Sequence, residues 1–472
     1  MKPVLTLALA RPTFDVPFAQ DYAARAFATL DSAEFTSVGP RELLFDAAAA
    51  RDAIAAIAPD SISAVLLLQV TFTDASMTVE IARAFPGVPL GIWAFPEPRA
   101  GGRLRLNSFC GLNLAAHALG RAGIAHGALY AATDATDIAQ NLRRLTTAIS
   151  MPSARLRKPK TSPAIAAQAE ALAGKLFGAR IGLVGEHPGG FDTCRFEPSR
   201  LADLADATVE AIPLSEMFTR AGAVDSARTA SRLAEARATY AGLDDLDGEQ
   251  LRKSLTLHAA LAEMKSEKSL DAFAVRCWPE TFTEYGCAIC GPMGMMGEAG
   301  TPCACEADVM GALTTLLLSE TAGEPGWLVD IVDMDEASET GVFWHCGSAP
   351  LSMRDPHVAA RAQIHSNRKM PLLAEFTLKP GRITIARLTQ ARNGLALVLG
   401  AGDVISAPMA FTGTSATVRF DGGVAKARDV LIGEMLEHHV AMVYGDHRAV
   451  LEGWAAIKGL PVIDLTSNES AA

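Results

Sequence analysis

Residues 373–388 read LAEFTLKPGRITIARL, two runs of alternating apolar and polar residues around Lys379-Pro380-Gly381. Side chains of a strand alternate between faces, so this period of two predicts two strands, and the Pro-Gly between them predicts a hairpin. GLALVLGAGDVI (394–405) and TSATVRFDGG (414–423) continue the pattern. A helix near 425–437 follows, then the strand VAMVYG (440–445), a second helix and the strand PVIDL (461–465). Residues 346–472 therefore read as a β-rich, antiparallel, barrel-like unit.

Upstream the pattern differs. PVLTLALA (3–10), ISAVLLLQV (62–70) and VPLGIWA (88–94) are short, continuous apolar runs separated by alanine-rich helical segments. Continuous apolar strands alternating with helices predict a parallel sheet covered on both faces. A second such unit begins with a helix at 164–178, the strand ARIGLVG (179–185) and the turn EHPGGFD (186–192), and includes the strand DAFAVRCWP (271–279). The fold expected is α/β: two Rossmann-like parallel-sheet domains, 1–152 and 153–345, before the β-rich domain 346–472. PSARLRKPKTSP (152–163), rich in proline and base, reads as a solvated linker between the first two.

Composition narrows the function classes. The chain has 472 residues and a net charge of −11, which argues against nonspecific nucleic-acid binding. No apolar run approaches the roughly 18 residues of a membrane helix, so no membrane partner is expected. The opening MKPVLTLALARPTFD reads as a buried strand and not as a secretory signal. Five of the eight cysteines fall between Cys277 and Cys305, which is not a disulfide framework in a chain this long. A reduced, cytoplasmic setting is expected.

The segment richest in chemistry is 276–347. CEADVMGALTTLLLSE (305–320) opens a helix with Glu306 and Asp308 in its first turn. Asp308 there complements the helix dipole. Glu306 lies between Cys305 and Ala307, and a buried carboxylate needs a proton, a cation or a metal. GWLVDIVDMD (326–335) puts Asp330 inside an apolar strand, where the end of a parallel sheet places ligands. His345 in FWHCG, and His438, His439 and His447 in LEHHVAMVYGDHR, are the candidate imidazoles. Adjacent residues of a strand face opposite ways, so only one of His438 and His439 is expected to enter a site. Two carboxylates and an imidazole suit a borderline-hard divalent ion. Cys287-x2-Cys290 followed by Cys303-x-Cys305 is the rival ligand set, for zinc or an iron–sulfur cluster. His187 in GEHPGGF reads as a turn residue, and no dinucleotide fingerprint or P-loop occurs.

Several of these stretches resemble the L-fucose isomerase and L-arabinose isomerase superfamily. Arg11-Pro12-Thr13-Phe14-Asp15 is similar to the motif after the first strand of L-fucose isomerases. Gly91-Ile92-Trp93-Ala94-Phe95 is similar to their tryptophan-bearing strand end. GCAICG (286–291) and PCACEADV (302–309) resemble the acidic segment of the arabinose isomerase branch, and HVAMVYGD (439–446) resembles the segment with the ligand histidine. The resemblance implies a divalent metal, Mn²⁺ or else Mg²⁺ or Co²⁺, held by Glu306, Asp330 and His439. It implies that Glu306 and Asp330 also carry a proton between C1 and C2 of a sugar through an enediol. It further implies a homotrimer or homohexamer in which Arg11 and Trp93 reach a neighbour's active site. His345 matches a further histidine of the arabinose isomerase branch.

Specificity is expected from PEPRAGGRLRLNSFCG (96–111), through Arg103, Arg105, Asn107 and Ser108. Convergence of those arginines with Arg11 would suit an anionic or sulfonated sugar. The alternatives are another enediolate reaction on the same scaffold (epimerase or lyase), a cysteine-ligated zinc or iron–sulfur protein, and a sugar binder without catalysis.

Overall fold

The computed structural model describes residues 2–147 and 154–466. Its first sheet comprises β1 (Val4–Leu9), β2 (Ser37–Val38), β3 (Leu43–Leu44), β4 (Ala64–Gln69), β5 (Leu90–Ala94) and β6 (Gly127–Tyr130). The order is β2-β1-β4-β5-β6, with β3 also on β1, and every pairing is parallel. Leu5, Leu7 and Leu9 of β1 enter one core cluster while Val4 and Ala8 enter another. Burial on both faces is what an uninterrupted apolar strand requires.

The second sheet is built from β7 (Arg180–Val184), β8 (Thr208–Ile212), β9 (Ala272–Val275) and β10 (Cys303–Ala304), ordered β10-β9-β7-β8 and again parallel. Ala272 and Ala274 pack to one side of it and Phe273 and Val275 to the other. Both parallel-sheet units expected from the sequence are therefore present.

The remaining strands are β11 (Trp327–Asp335), β12 (Thr340–His345), β13 (Arg361–Gln363), β14 (Leu373–Thr377), β15 (Gly381–Thr389), β16 (Ala396–Ile405), β17 (Thr414–Phe420), β18 (His439–Tyr444) and β19 (Val462–Asp464). Antiparallel pairings run β17–β12–β11–β18–β15–β16 and return from β16 to β17. The circuit is a closed six-stranded barrel, which leaves its members no free edge. β14 adds in parallel to β17, β13 adds antiparallel to β14, and β19 adds in parallel to β16. Among the described residues no helix is long and apolar enough to cross a membrane.

Two local expectations change and a third is refined. Residues 373–377 and 381–389 are strands but not a hairpin, since β14 pairs with β13 and β17 while β15 lies between β16 and β18. Alternation specifies a strand and its faces; it does not choose the partner. Residues 327–345, read as part of the central unit, supply two barrel strands, so Asp330 sits in an antiparallel ladder and not at the end of a parallel strand. The basic stretch is largely exposed, as expected, but it is anchored at Arg157. Arg157 bridges to Val462 and its guanidinium meets Glu452, at 2.8 Å, and Asp464. Residues 152 and 153 of that stretch lie outside the described residues.

Candidate active site

The barrel register assembles the centre of the site. Asp330 on β11 and His439 on β18 are direct cross-strand partners, and Trp344 on β12 lies opposite Asp330 on its other edge. Directly opposed residues share a face of the sheet. His439 Nε2 is therefore 3.4 Å from Asp330 Oδ1.

Glu306 arrives from a tight turn between β10 and the helix Val309–Ala322. Glu306 and Ala307 both adopt left-handed backbone, with φ of 59° and 58°. Two consecutive non-glycine residues there cost roughly 1–3 kcal/mol each and persist only where the surroundings enforce them. The enforcement is visible. Trp278 Nε1 donates to Glu306 Oε1 at 3.0 Å, and His438 Nε2 is 3.0 Å from Glu306 Oε2. His439 Nε2 is 3.9 Å from the same oxygen.

Asp308 does more than complement a dipole. It caps the helix by accepting from Gly311 N at 2.8 Å, receives Arg387 at 2.5 Å, and lies 2.9 Å from His439 Nδ1. Both its side chain and that of Arg387 are 1% exposed. With Nδ1–H given to Asp308, His439 turns Nε2 toward Glu306 and Asp330. A carboxylate behind a histidine in this way fixes its tautomer and orientation.

Charges in the centre are uneven. Burial pushes the Glu306 carboxyl up, but His438 and His439 outweigh it and leave the group well below its ordinary value. Burial likewise raises Asp330, Glu306 adds to the rise, and only His439 opposes it, so Asp330 is pushed up to about 7. Asp330 Oδ1 has no hydrogen-bond partner. A buried carboxylate oxygen of that kind calls for a proton or a cation. Burial lowers His439, yet the hydrogen bond to Asp308 and the charges of Asp330, Asp308 and Glu306 raise it above its ordinary value. Burial and the neighbouring His439 lower His438 to about 4 and His345 to about 3.

These residues fit a divalent cation. Among the described residues, two groups of ligating side chains converge closely enough for one ion: Asp330 with His438 and His439, and Glu306 with Cys194 and His439. Both contain His439. The rival set Cys287, Cys290, Cys303 and Cys305 does not converge. Cys305 Sγ instead contacts Cys277 Sγ at 2.7 Å, Cys290 packs with Cys346, and Cys303 donates to Thr301 O.

The centre opens into a narrow cleft of about 80 Å³, where all three units meet. The first unit contributes Arg11, Phe72 and Asn107, the second Trp278 and Glu306, and the third Asp330, His345 and Arg368. The guanidinium carbons of Arg11 and Arg368 each lie 4.9 Å from the Trp278 ring. Arg11 is braced by Asp74 at 2.8 Å.

Not every expected site residue arrives. Arg11, Asn107, His345, Glu306 and Asp330 line the cleft. Asn107 Oδ1 is buried without a partner. His345 Nδ1 accepts from Cys346 N at 3.0 Å, and its Nε2 is buried without a partner. Trp93 is 0% exposed and its indole donates to Ala131 O at 2.9 Å; it is a core residue, not a substrate contact. Ser108 is a core residue too, accepting from Phe95 N at 2.9 Å and donating to Gln69 O. Arg105 is tied to Asp15 at 2.9 Å and lies over Phe18, and Arg103 donates to Asn367 Oδ1 and Thr13 O. The cause is Glu97, whose carboxylate accepts the backbone N–H groups of Arg105, Leu106 and Asn107 and folds the loop onto itself. Arg11 reaches the cleft beside Glu306 within one chain.

Sequence reading missed Asp308 as a brace, His438 as a partner of Glu306, and Trp278 and Arg368 as cleft walls. His438 escaped because it precedes β18, where strand alternation does not apply.

The chain that builds this acid–imidazole centre on a closed barrel, fronted by two parallel-sheet units, is similar to the fucose/sulfoquinovose isomerases. Residues 6–153 match the model described as the fucose/sulfoquinovose isomerase N-terminal domain. Its relatives are, more particularly, sulfoquinovose isomerases. That of Priestia aryabhattai is 28% identical over 444 residues, covering 94% of each chain. That of Alkalicoccus urumqiensis is 29% identical over 403 residues, 85% of this chain and 86% of its own, and that of Clostridium sp. (strain MSTE9) 27% identical over 447 residues, 94% of each.

Proposed function

We propose that this protein is a divalent-metal aldose–ketose isomerase acting on an anionic, sulfonated monosaccharide. The observation that carries the reading is that Glu306 Oε2, at 3.9 Å, and Asp330 Oδ1, at 3.4 Å, both lie beside His439 Nε2 at the base of a cleft walled by two guanidinium groups. The sulfoquinovose isomerases to which the chain is similar support the substrate class.

Glu306, Asp330 and His439 would hold the ion, Mn²⁺ or alternatively Mg²⁺ or Co²⁺. When bound, it supplies Lewis-acid stabilisation of negative charge developing on the sugar's O1 and O2. The chain's own groups do the rest. Asp330 and Glu306, the two carboxylates beside His439, are the groups placed to exchange a proton at the two carbons. His345 Nε2, buried without a partner, is left to hydrogen-bond a sugar hydroxyl. Asn107 Oδ1 accepts one from a sugar hydroxyl. Arg11 and Arg368 flank Trp278 as two like charges facing one cleft, an arrangement that an anionic substituent relieves.

The free thiols suit a cytoplasmic setting, and assembly into a trimer or hexamer remains part of the proposal, read by sedimentation. The deciding experiment incubates the metal-supplemented protein with 6-sulfonated and neutral aldoses in D₂O and follows interconversion by NMR. Interconversion of the sulfonated sugar with deuterium at C2 supports the reading. Absence of interconversion, or full activity in Glu306→Gln, overturns it.

A further inference from the structure

Beside the carboxylates lie thiols that the reaction does not use. Cys277 Sγ and Cys305 Sγ are 2.7 Å apart, and both residues line the cleft, Cys277 3% exposed and Cys305 7%. Each is the chain neighbour of a group that fixes Glu306. Cys305 directly precedes Glu306 itself. Cys277 directly precedes Trp278, whose indole donates to Glu306 Oε1 at 3.0 Å. The contact therefore joins the two segments on which the Glu306 carboxylate hangs, next to the left-handed pair Glu306 and Ala307.

We propose that Cys277 and Cys305 are an oxidation site at which hydrogen peroxide installs a disulfide that switches the active site off. One sulfur attacks the peroxide O–O bond, an S–O bond forms, and the released hydroxide takes up that thiol's proton as water. The second sulfur attacks the resulting sulfenic sulfur. An S–S bond forms and the hydroxyl leaves with the second thiol's proton as another water. The thiols are oxidised by two electrons and the peroxide is reduced to two waters.

Geometry gives the consequence. A disulfide sets the sulfurs about 2.05 Å apart, so the contact shortens by roughly 0.6 Å. The shortening is taken up by the turn bearing Glu306 and by the segment bearing Trp278. Displacement of a reacting group by about 1 Å costs on the order of a hundredfold in rate. Cys303, whose thiol bonds Thr301 O and does not line the cleft, provides the contrast.

Loss of activity rests on the isomerase reading; bond formation rests on the geometry alone, and the two are read separately. The reduced full-length protein is titrated with hydrogen peroxide and analysed by intact mass, peptide mapping, tryptophan emission and turnover. The expected result is loss of two hydrogens, a peptide joining Cys277 to Cys305, shifted emission, and turnover reduced about tenfold or more. All are reversed by dithiothreitol. Cys303→Ser should respond as the wild type, while Cys277→Ser and Cys305→Ser should form no joined peptide. A chain that loses turnover without the joined peptide, or forms it and keeps full turnover, overturns the proposal. A chain with no turnover before oxidation sinks the isomerase reading instead. The joined peptide and the emission change then decide the site, and absence of either overturns it.

Discussion

Asp308 Oδ2 lies 2.9 Å from His439 Nδ1, which makes a helix-capping carboxylate the brace of the central imidazole. Replacing such a carboxylate typically costs about 10–100-fold in metal affinity or activity. Asp308→Asn keeps a side-chain oxygen for the cap on Gly311 but weakens the hold on His439 and the pairing with Arg387. Metal retention and turnover are both expected to fall by that factor, measured by metal analysis after dialysis and by NMR turnover. Unchanged values would remove Asp308 from the site.

Arg368 and Arg11 flank Trp278 but differ in their surroundings, since Arg11 is braced by Asp74. A hydrogen bond to a charged group is worth about 1.5–3 kcal/mol, which corresponds to roughly 10–100-fold in affinity. Arg368→Ala should raise KM for a 6-sulfonated sugar by about that factor and leave KM for its neutral analogue within about threefold. Steady-state kinetics on the matched pair of sugars makes the comparison.

Trp93 fills the first core and gives its indole N–H to Ala131 O. Trp93→Phe removes that bond and part of a buried ring, about 2–4 kcal/mol in sum. Thermal melting should shift downward while KM and kcat stay within about twofold. A large rise in KM at unchanged stability would restore Trp93 to the substrate.

His258 is 8% exposed, and burial together with nearby Arg232 lowers it to about 4. Between that value and the 6.5 of an ordinary histidine, the unfolded chain binds a proton that the folded chain refuses. Stability from this group is therefore complete above about pH 6.5 and declines as pH falls toward 4, by roughly 3 kcal/mol in all. Denaturant melts at pH 7 and pH 4.5 should show a smaller acid-induced loss in His258→Gln than in the wild type.

Much of the site is written in short segments. Glu306 between cysteine and alanine and Asp330 inside an apolar run are each marked by burial of a group that resists burial, whereas His439 is preferred to His345 and His438 only by the resemblance of HVAMVYGD to the ligand-histidine segment of the isomerases. The burial signal is local, because it depends on the neighbours of one residue. Arg105 and Ser108 show the limit of this. Their composition reads as a sugar-binding loop, but Glu97 gathers three of the loop's N–H groups and turns the segment inward. No pattern within 96–111 announces that Glu97 rather than solvent will take those donors.

The sequence by itself determined the two parallel-sheet units, the β-rich unit after them and the suspicion that fell on Glu306 and Asp330, because strand period and forced burial are properties of neighbouring residues. Only the tertiary structure decided that β14 and β15 part company, that the barrel closes between β16 and β17, and that Asp330 stands opposite His439. It also decided that Asp308 steadies that histidine, that Trp93 belongs to the core, and that Arg11 and Arg368 share one tryptophan. Those facts are choices of partner. They depend on which of many compatible edges, donors and charges meet when distant segments pack, and no single segment carries that information.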